Sequence, residues 1–248
     1  MLTMRQEQVE AFRQHHLQNF EDQMVGHLQK FAPMHWPVIG EPIGREVIRL
    51  GIEQAAKYGF TNRGPVRFYI ELMFMFGSYF DTDPQYPWIS ALLNDAANID
   101  QMARADNVYD YVKDYWQAVA GPDNEFTFNA LRRLRQARVG DYMKVGTPLE
   151  ECFLRGLKEI YPQKCERLGD RPLNAFIQDS LILANTYGFS SSESAAVMVA
   201  LGFFLGHGFT RDPLHPWIGR RLGDKRLSNA NKKSEEIHSK AMLTSTTS

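Results

Sequence analysis

Three residues of this chain could hold a metal: His207, Asp212 and His215. Imidazole and carboxylate are ordinary ligands of zinc and non-haem iron. Their spacing fits neither an H-E-x-x-H helix nor a facial triad of two histidines and a carboxylate. Pro213 also sets a turn between the two histidines. The set is a secondary reading, and the sequence leads us to expect no metal and no other cofactor. Other chemistry is served no better. Ser190-Ser191-Ser192 opens a helical run, with Ser190-x-x-Glu193 as a capping box, and no G-x-S-x-G elbow is present. The phosphate loops G-x-x-x-x-G-K-[ST] and G-x-G-x-x-G are both missing. His15, His16, His27 and His35 have no acid partner fixed by spacing. Nothing assembles a nucleophile, a base and an oxyanion hole, so the chain reads as a non-enzyme.

Charge is more informative. Between Asp81 and Glu125 nine acids face only Arg104 and Lys113. Asp106, Asp110 and Asp114 stand at i, i+4 and i+8, one row of a helix, where like charges cost a few tenths of a kcal/mol per pair. Tyr109 and Tyr111 lie beside them. Such a row is either a solvated face or a contact surface for a basic protein, and these five residues are the candidate contacts. Arg132, Arg133, Arg135 and Arg138 follow on the next helix, and Lys225, Arg226, Lys232 and Lys233 near the C-terminus. No stacking aromatics are interleaved with them, so no nucleic-acid partner is expected. The net charge of −1 points the same way.

The elements that must position these residues come in two sets. Residues 24–95 can be laid on residues 153–224 without a gap, at a constant shift of 129. Tyr58-Gly59-Phe60 then meets Tyr187-Gly188-Phe189. Asp83-Pro84-x-x-Pro87-Trp88 meets Asp212-Pro213-x-x-Pro216-Trp217. Because both copies carry these residues, they read as scaffold: a glycine helix stop, an aspartate cap, a proline-opened short helix and a tryptophan core anchor. Apolar spacing of three to five predicts a helix over 5–31 and another over 44–57. A third starts at a Thr61 cap and runs to Tyr79, and Gly140 ends the second connector helix. Period-two strands are missing. The expected fold is all-α: two tandem pseudo-repeats, each a small helical bundle, joined by two connector helices. The expected units are 1–95 with the long N-terminal helix, the connector 96–152, the second repeat 153–227, and a polar, disordered tail over 228–248.

The remaining composition sets the context. Hydrophobic residues make up 44% of 248, enough for a core. Cys152 and Cys165 fit neither a disulfide framework nor a C-x-x-C site, and the opening residues are polar, which together predict a reduced cytoplasmic protein. The longest apolar run, around Ala195–Leu205, is too short to span a bilayer, so no membrane partner is expected.

The opening M-L-T-M-R-Q-E-Q, followed by A-A-K-Y-G-F and F-G-S-Y-F-D-T-D-P-Q-Y-P-W, resembles small helical bacterial proteins encoded beside type VI secretion effector genes. The resemblance covers residues 1–95 and, more faintly, 153–224. It implies a bacterial accessory whose partner is a secreted toxin, acting as an immunity protein or as an adaptor. Thr210-Arg211 stands in the second copy where the first has Asp81-Thr82, so the first acid of the motif is not shared. The readings are thus a toxin-binding protein using Asp106, Asp110, Asp114, Tyr109 and Tyr111, a metal protein using His207, Asp212 and His215, and a structural scaffold.

Overall fold

The computed structural model describes residues 6–98 and 100–224, together with 233–234, 236–237 and 239–240. Among the described residues the regular structure is helical throughout and no strand occurs. The first half comprises α1 (Gln6–Phe31), α2 (Trp36–Lys57), α3 (Arg63–Phe76) and α4 (Pro87–Leu93). Next come α5 (Gln101–Ala120), α6 (Glu125–Gln136) and the single turn α7 (Val139–Tyr142). The second half comprises α8 (Leu149–Ile160), α9 (Pro162–Leu168), α10 (Asp170–Thr186), α11 (Ser192–Leu205) and α12 (Pro216–Leu222). Both bounds of α3 and α11 differ by 129, as do both bounds of α4 and α12.

The shared sequence motifs account for this agreement locally. Gly59 and Gly188 take φ of +69° and +76°, which a Cβ would strain. The amide of Phe60 then donates back to the Ala55 carbonyl, and that of Phe189 to Ala184, at 3.0 and 2.9 Å. Each helix so ends in a Schellman turn, with a buried phenylalanine just beyond it. Pro87 and Pro216 occupy the first helical position, where no N–H is needed.

Several sequence expectations differ from the structure in detail. The second helix begins at Trp36, with a break at Gly40 just before Pro42. Thr61 does not cap α3. The amides of Thr61 and Asn62 both donate to Gln101 Oε1 at the start of α5, so a residue forty positions away does the capping. On α11 the cap is Ser191, which accepts from the Ser194 amide, one residue later than the predicted box. Gly140 lies inside α7 and ends nothing, since α6 stops at Gln136. The C-terminal segment, expected to lack structure, is helical at its six described residues, with Ser234 and Ile237 buried. Its other residues lie outside the described ones.

The buried apolar residues of both halves form one contiguous cluster. Phe60, Tyr69 and Phe80 contribute from the first half, and Phe176, Phe189, Phe203 and Phe209 from the second. Each such ring removes about 1.5–3 kcal/mol worth of apolar surface from water. Helix α5, in the connector between the halves, packs on α3 and α4 of the first half and on α9 of the second. No helix among the described residues is long and apolar enough to cross a membrane.

Candidate protein-binding face

Helix α5 starts at Asp100, whose carboxylate accepts the Met102 amide at 3.0 Å. Its inner face buries Ala105, Val108, Val112, Tyr115 and Val119. Arg104 fixes its rotation. One guanidinium nitrogen donates to the Leu93 carbonyl, another to that of Tyr58, and the group lies over the Phe60 ring. The opposite face is then set by the 3.6-residue period. Asp106, Asp110 and Asp114 are all exposed there, about 6 Å apart along the axis. None of them forms an ion pair among the described residues.

Aromatic side chains border this row. Tyr109 is 55% exposed and meets Phe68 by an edge. Trp116 and Tyr111 are each 37% exposed. Tyr111 lies 4.3 Å from the Trp88 ring, centroid to centroid, and carries the Arg167 guanidinium on its ring. The five predicted contact residues therefore share one helix, with the carboxylates on its outer surface and the tyrosines along its margins. The Arg-rich stretch of α6 is also exposed, although Arg133 turns back to the Ile160 carbonyl.

The metal set comes apart. Both oxygens of Asp212 are already engaged: Oδ1 accepts from the Leu214 amide and the Ser78 hydroxyl, Oδ2 from the Ser78 amide. The His207 ring meets the Thr82 hydroxyl at 3.2 Å instead. Among the described residues no cluster of three or more His, Cys, Asp or Glu is arranged to hold a metal ion.

The aspartates of the repeated motif do something the sequence did not reveal. Neither is an N-cap, since Tyr86 and His215 hold those positions. Each closes a local turn and reaches across to the other half. Asp83 accepts from the Gln85 amide and, through Oδ2, from the His207 amide at 2.8 Å. Asp212 makes the matching pair with Leu214 and Ser78. Residues 78 and 207 are themselves equivalent at the shift of 129. Between the two clasps Gly77 and Gly206 pass in backbone contact. A Cβ on Gly77 would stand 2.5 Å from the Leu205 oxygen, and one on Gly206 2.6 Å from that of Phe76. Trp88 and Trp217 are half-buried at the rim rather than anchors in the core.

Around the clasps the halves carry different titratable groups at equivalent places. Lys164 is buried, donates to the Phe203 carbonyl, and lies over the Phe203 and Tyr86 rings. Burial pushes its ammonium down to about 8 against the pull of Asp83 and Cys165. Burial likewise pushes the neighbouring Cys165 thiol up to about 12, which favours the protonated thiol at neutral pH. The counterpart of Lys164 is His35, and that of Tyr86 is His215. Burial lowers both imidazoles; at His215 Asp212 opposes the shift and His35 adds to it. The unshared Asp81 is also buried and accepts from the Tyr58 hydroxyl at 2.9 Å. The phenols of Tyr58 and Tyr69 are both raised, by burial first and then by this carboxylate.

No protein-family model matches the chain, and no curated protein or solved structure is significantly similar to it.

Proposed function

We propose that the chain is a non-enzymatic protein-binding protein that presents the outer face of α5 to a cationic partner. One observation carries this reading: three exposed carboxylates stand in a row with no counter-ion among the described residues, bordered by half-exposed tyrosine and tryptophan rings. The fold gains nothing from such a row, because like charges at that spacing repel. A basic partner gains twice, in association rate from the charges and in affinity from the rings. The resemblance to proteins encoded near type VI secretion effectors makes a secreted toxin the partner. The chain is then its immunity protein, or its adaptor, in the bacterial cytoplasm.

The test is affinity capture from the bacterium that carries the chain, followed by expression of the captured protein with and without it. Relief of toxicity would mark immunity, and binding without relief an adaptor. The triple variant Asp106→Lys, Asp110→Lys, Asp114→Lys should slow association and flatten its salt dependence. Unaltered binding by that variant sinks the α5 face. Capture of no protein that is toxic alone sinks the toxin reading.

A further inference from the structure

Helices α5 and α6 form a hairpin whose two arms carry opposite charge. The short turn over residues 121–124 joins them and α6 packs back on α5, the arrangement of antiparallel neighbours. On α6 Ala130 is fully buried, and Phe128, Arg132 and Arg135 stand exposed on the opposite side. Arg138 continues this exposed basic edge just beyond the helix. The Arg132 guanidinium donates to Asn129 Oδ1 at 2.9 Å, which lays it along the outer surface. The aspartate row of α5 likewise lies opposite the buried face of its helix. Both rows therefore look away from the body.

The rows match in position as well as in sign. Asp114, Asp110 and Asp106 stand 6, 10 and 14 residues before Ala120, which ends α5. Arg132, Arg135 and Arg138 stand 7, 10 and 13 residues after Glu125, which begins α6. At the helical rise per residue each acid is level with an arginine to within about 1.5 Å. Exposed rings lie in the same band, Tyr109 and Trp116 on α5 and Phe128 on α6. On one chain the rows run side by side and point the same way, so they come face to face only between copies. A two-fold axis along the helices sets α5 of each copy over α6 of the other, and both contacts close at once. An axis across the helices would set α5 on α5, acid against acid, so charge selects the first arrangement.

We infer that the chain pairs with a second copy through this hairpin, α5 of each lying antiparallel on α6 of the other. Asp114 then meets Arg132, Asp110 meets Arg135 and Asp106 meets Arg138, with the rings between them excluding water. The inference rests on the reading of α5 as a binding face and adds its regulation: a cationic partner reaches the aspartates by displacing the second copy.

Sedimentation equilibrium of the full chain tests it. At low salt the native protein should have twice the 28.5 kDa mass of one chain. Raising salt from about 50 to about 500 mM should weaken the pair about tenfold. Asp106→Lys with Asp114→Lys sets lysine against arginine, and Arg132→Glu with Arg138→Glu sets aspartate against glutamate. Each double variant alone should pair about 100-fold more weakly. Mixed, the two should pair with each other to within about tenfold of the native strength, because every contact regains opposite charges. That recovery also shows that both variants are folded. A native chain monomeric at about 100 μM in low salt, a pair that both variants keep, or variants that stay apart when mixed would each overturn the inference. The arginine variant keeps α5 whole, so it should capture a cationic partner at least as well as the native chain. Capture through α5 by a native chain that never pairs overturns this inference alone. Pairing by a chain that captures no partner sinks the partner reading and leaves the pair standing.

Discussion

Asp83 and Asp212 are exchanged between the halves: the first holds the His207 amide of the second half, and the second holds the Ser78 amide of the first, each at 2.8 Å. Both are almost fully buried, so each carboxylate replaces lost water with backbone donors. Asp212→Ala would strand the Ser78 and Leu214 amides and should cost about 3 kcal/mol in denaturant unfolding. Asp83→Ala should cost a similar amount. Because both act on one junction, the double variant should lose less than the sum. Strict additivity would mean that the clasps work separately.

The glycine crossing between the clasps makes a second prediction. Gly77 and Gly206 have φ of +93° and +91°, and each added Cβ meets a carbonyl oxygen of the other half. Neither strain nor collision can relax without parting the halves. Gly77→Ala or Gly206→Ala should therefore cost well over the ~1 kcal/mol of a positive-φ glycine alone. Gly188→Ala provides the contrast, since φ is +76° but nothing lies within 4 Å. Thermal melts showing equal losses at Gly188 and Gly206 would contradict the crossing.

Lys164 predicts an alkaline gain in stability. Its folded value, about 8, lies below the unfolded 10.5, so the unfolded chain binds more protons between them. The contribution of Lys164 rises as pH climbs through that window, and its full cost is felt below it. The raised Cys165 thiol and the raised phenols of Tyr58 and Tyr69 act in the opposite sense there, so the native profile is compared with that of a variant. Relative to Lys164→Met, which should be the more stable at neutral pH, the native protein should recover about 2 kcal/mol between pH 8 and 9.5. Parallel profiles for the two proteins would refute this.

At the counterpart of Tyr86, His215 works in the acid range. Burial lowers its folded value below 6.5, so its contribution is present above pH 6.5 and lost as pH falls. Asp212 limits the shift, and His35 adds to it. Melting temperature should drop from pH 7.5 to pH 5, and by less in His215→Gln. An unchanged drop in that variant would clear His215 of the effect.

Much of the fold was legible because it is local. Y-G-F stops a helix through a left-handed glycine and a buried phenylalanine one residue on, all within six positions. Pro87 and Pro216 likewise mark helix starts in the chain itself. What escaped detection is long-range. The Asp83–His207 and Asp212–Ser78 bonds span more than a hundred positions, so spacing suggested capping instead. The start of α3 is held by Gln101, and nothing in the residues beside Thr61 says so. The acidic row was visible because helical period alone defines it, and its exposure follows from Arg104 fixing the rotation of α5.

Helix α5 leans on α3 and α4 with one flank and on α9 with another. A partner gripping its outer face would hold a beam that rests on two piers. Force applied there is divided between halves already locked at Gly77 and Gly206. Melting of the bound protein should accordingly remain a single transition, moved upward as a whole, and neither half should be left to come apart on its own.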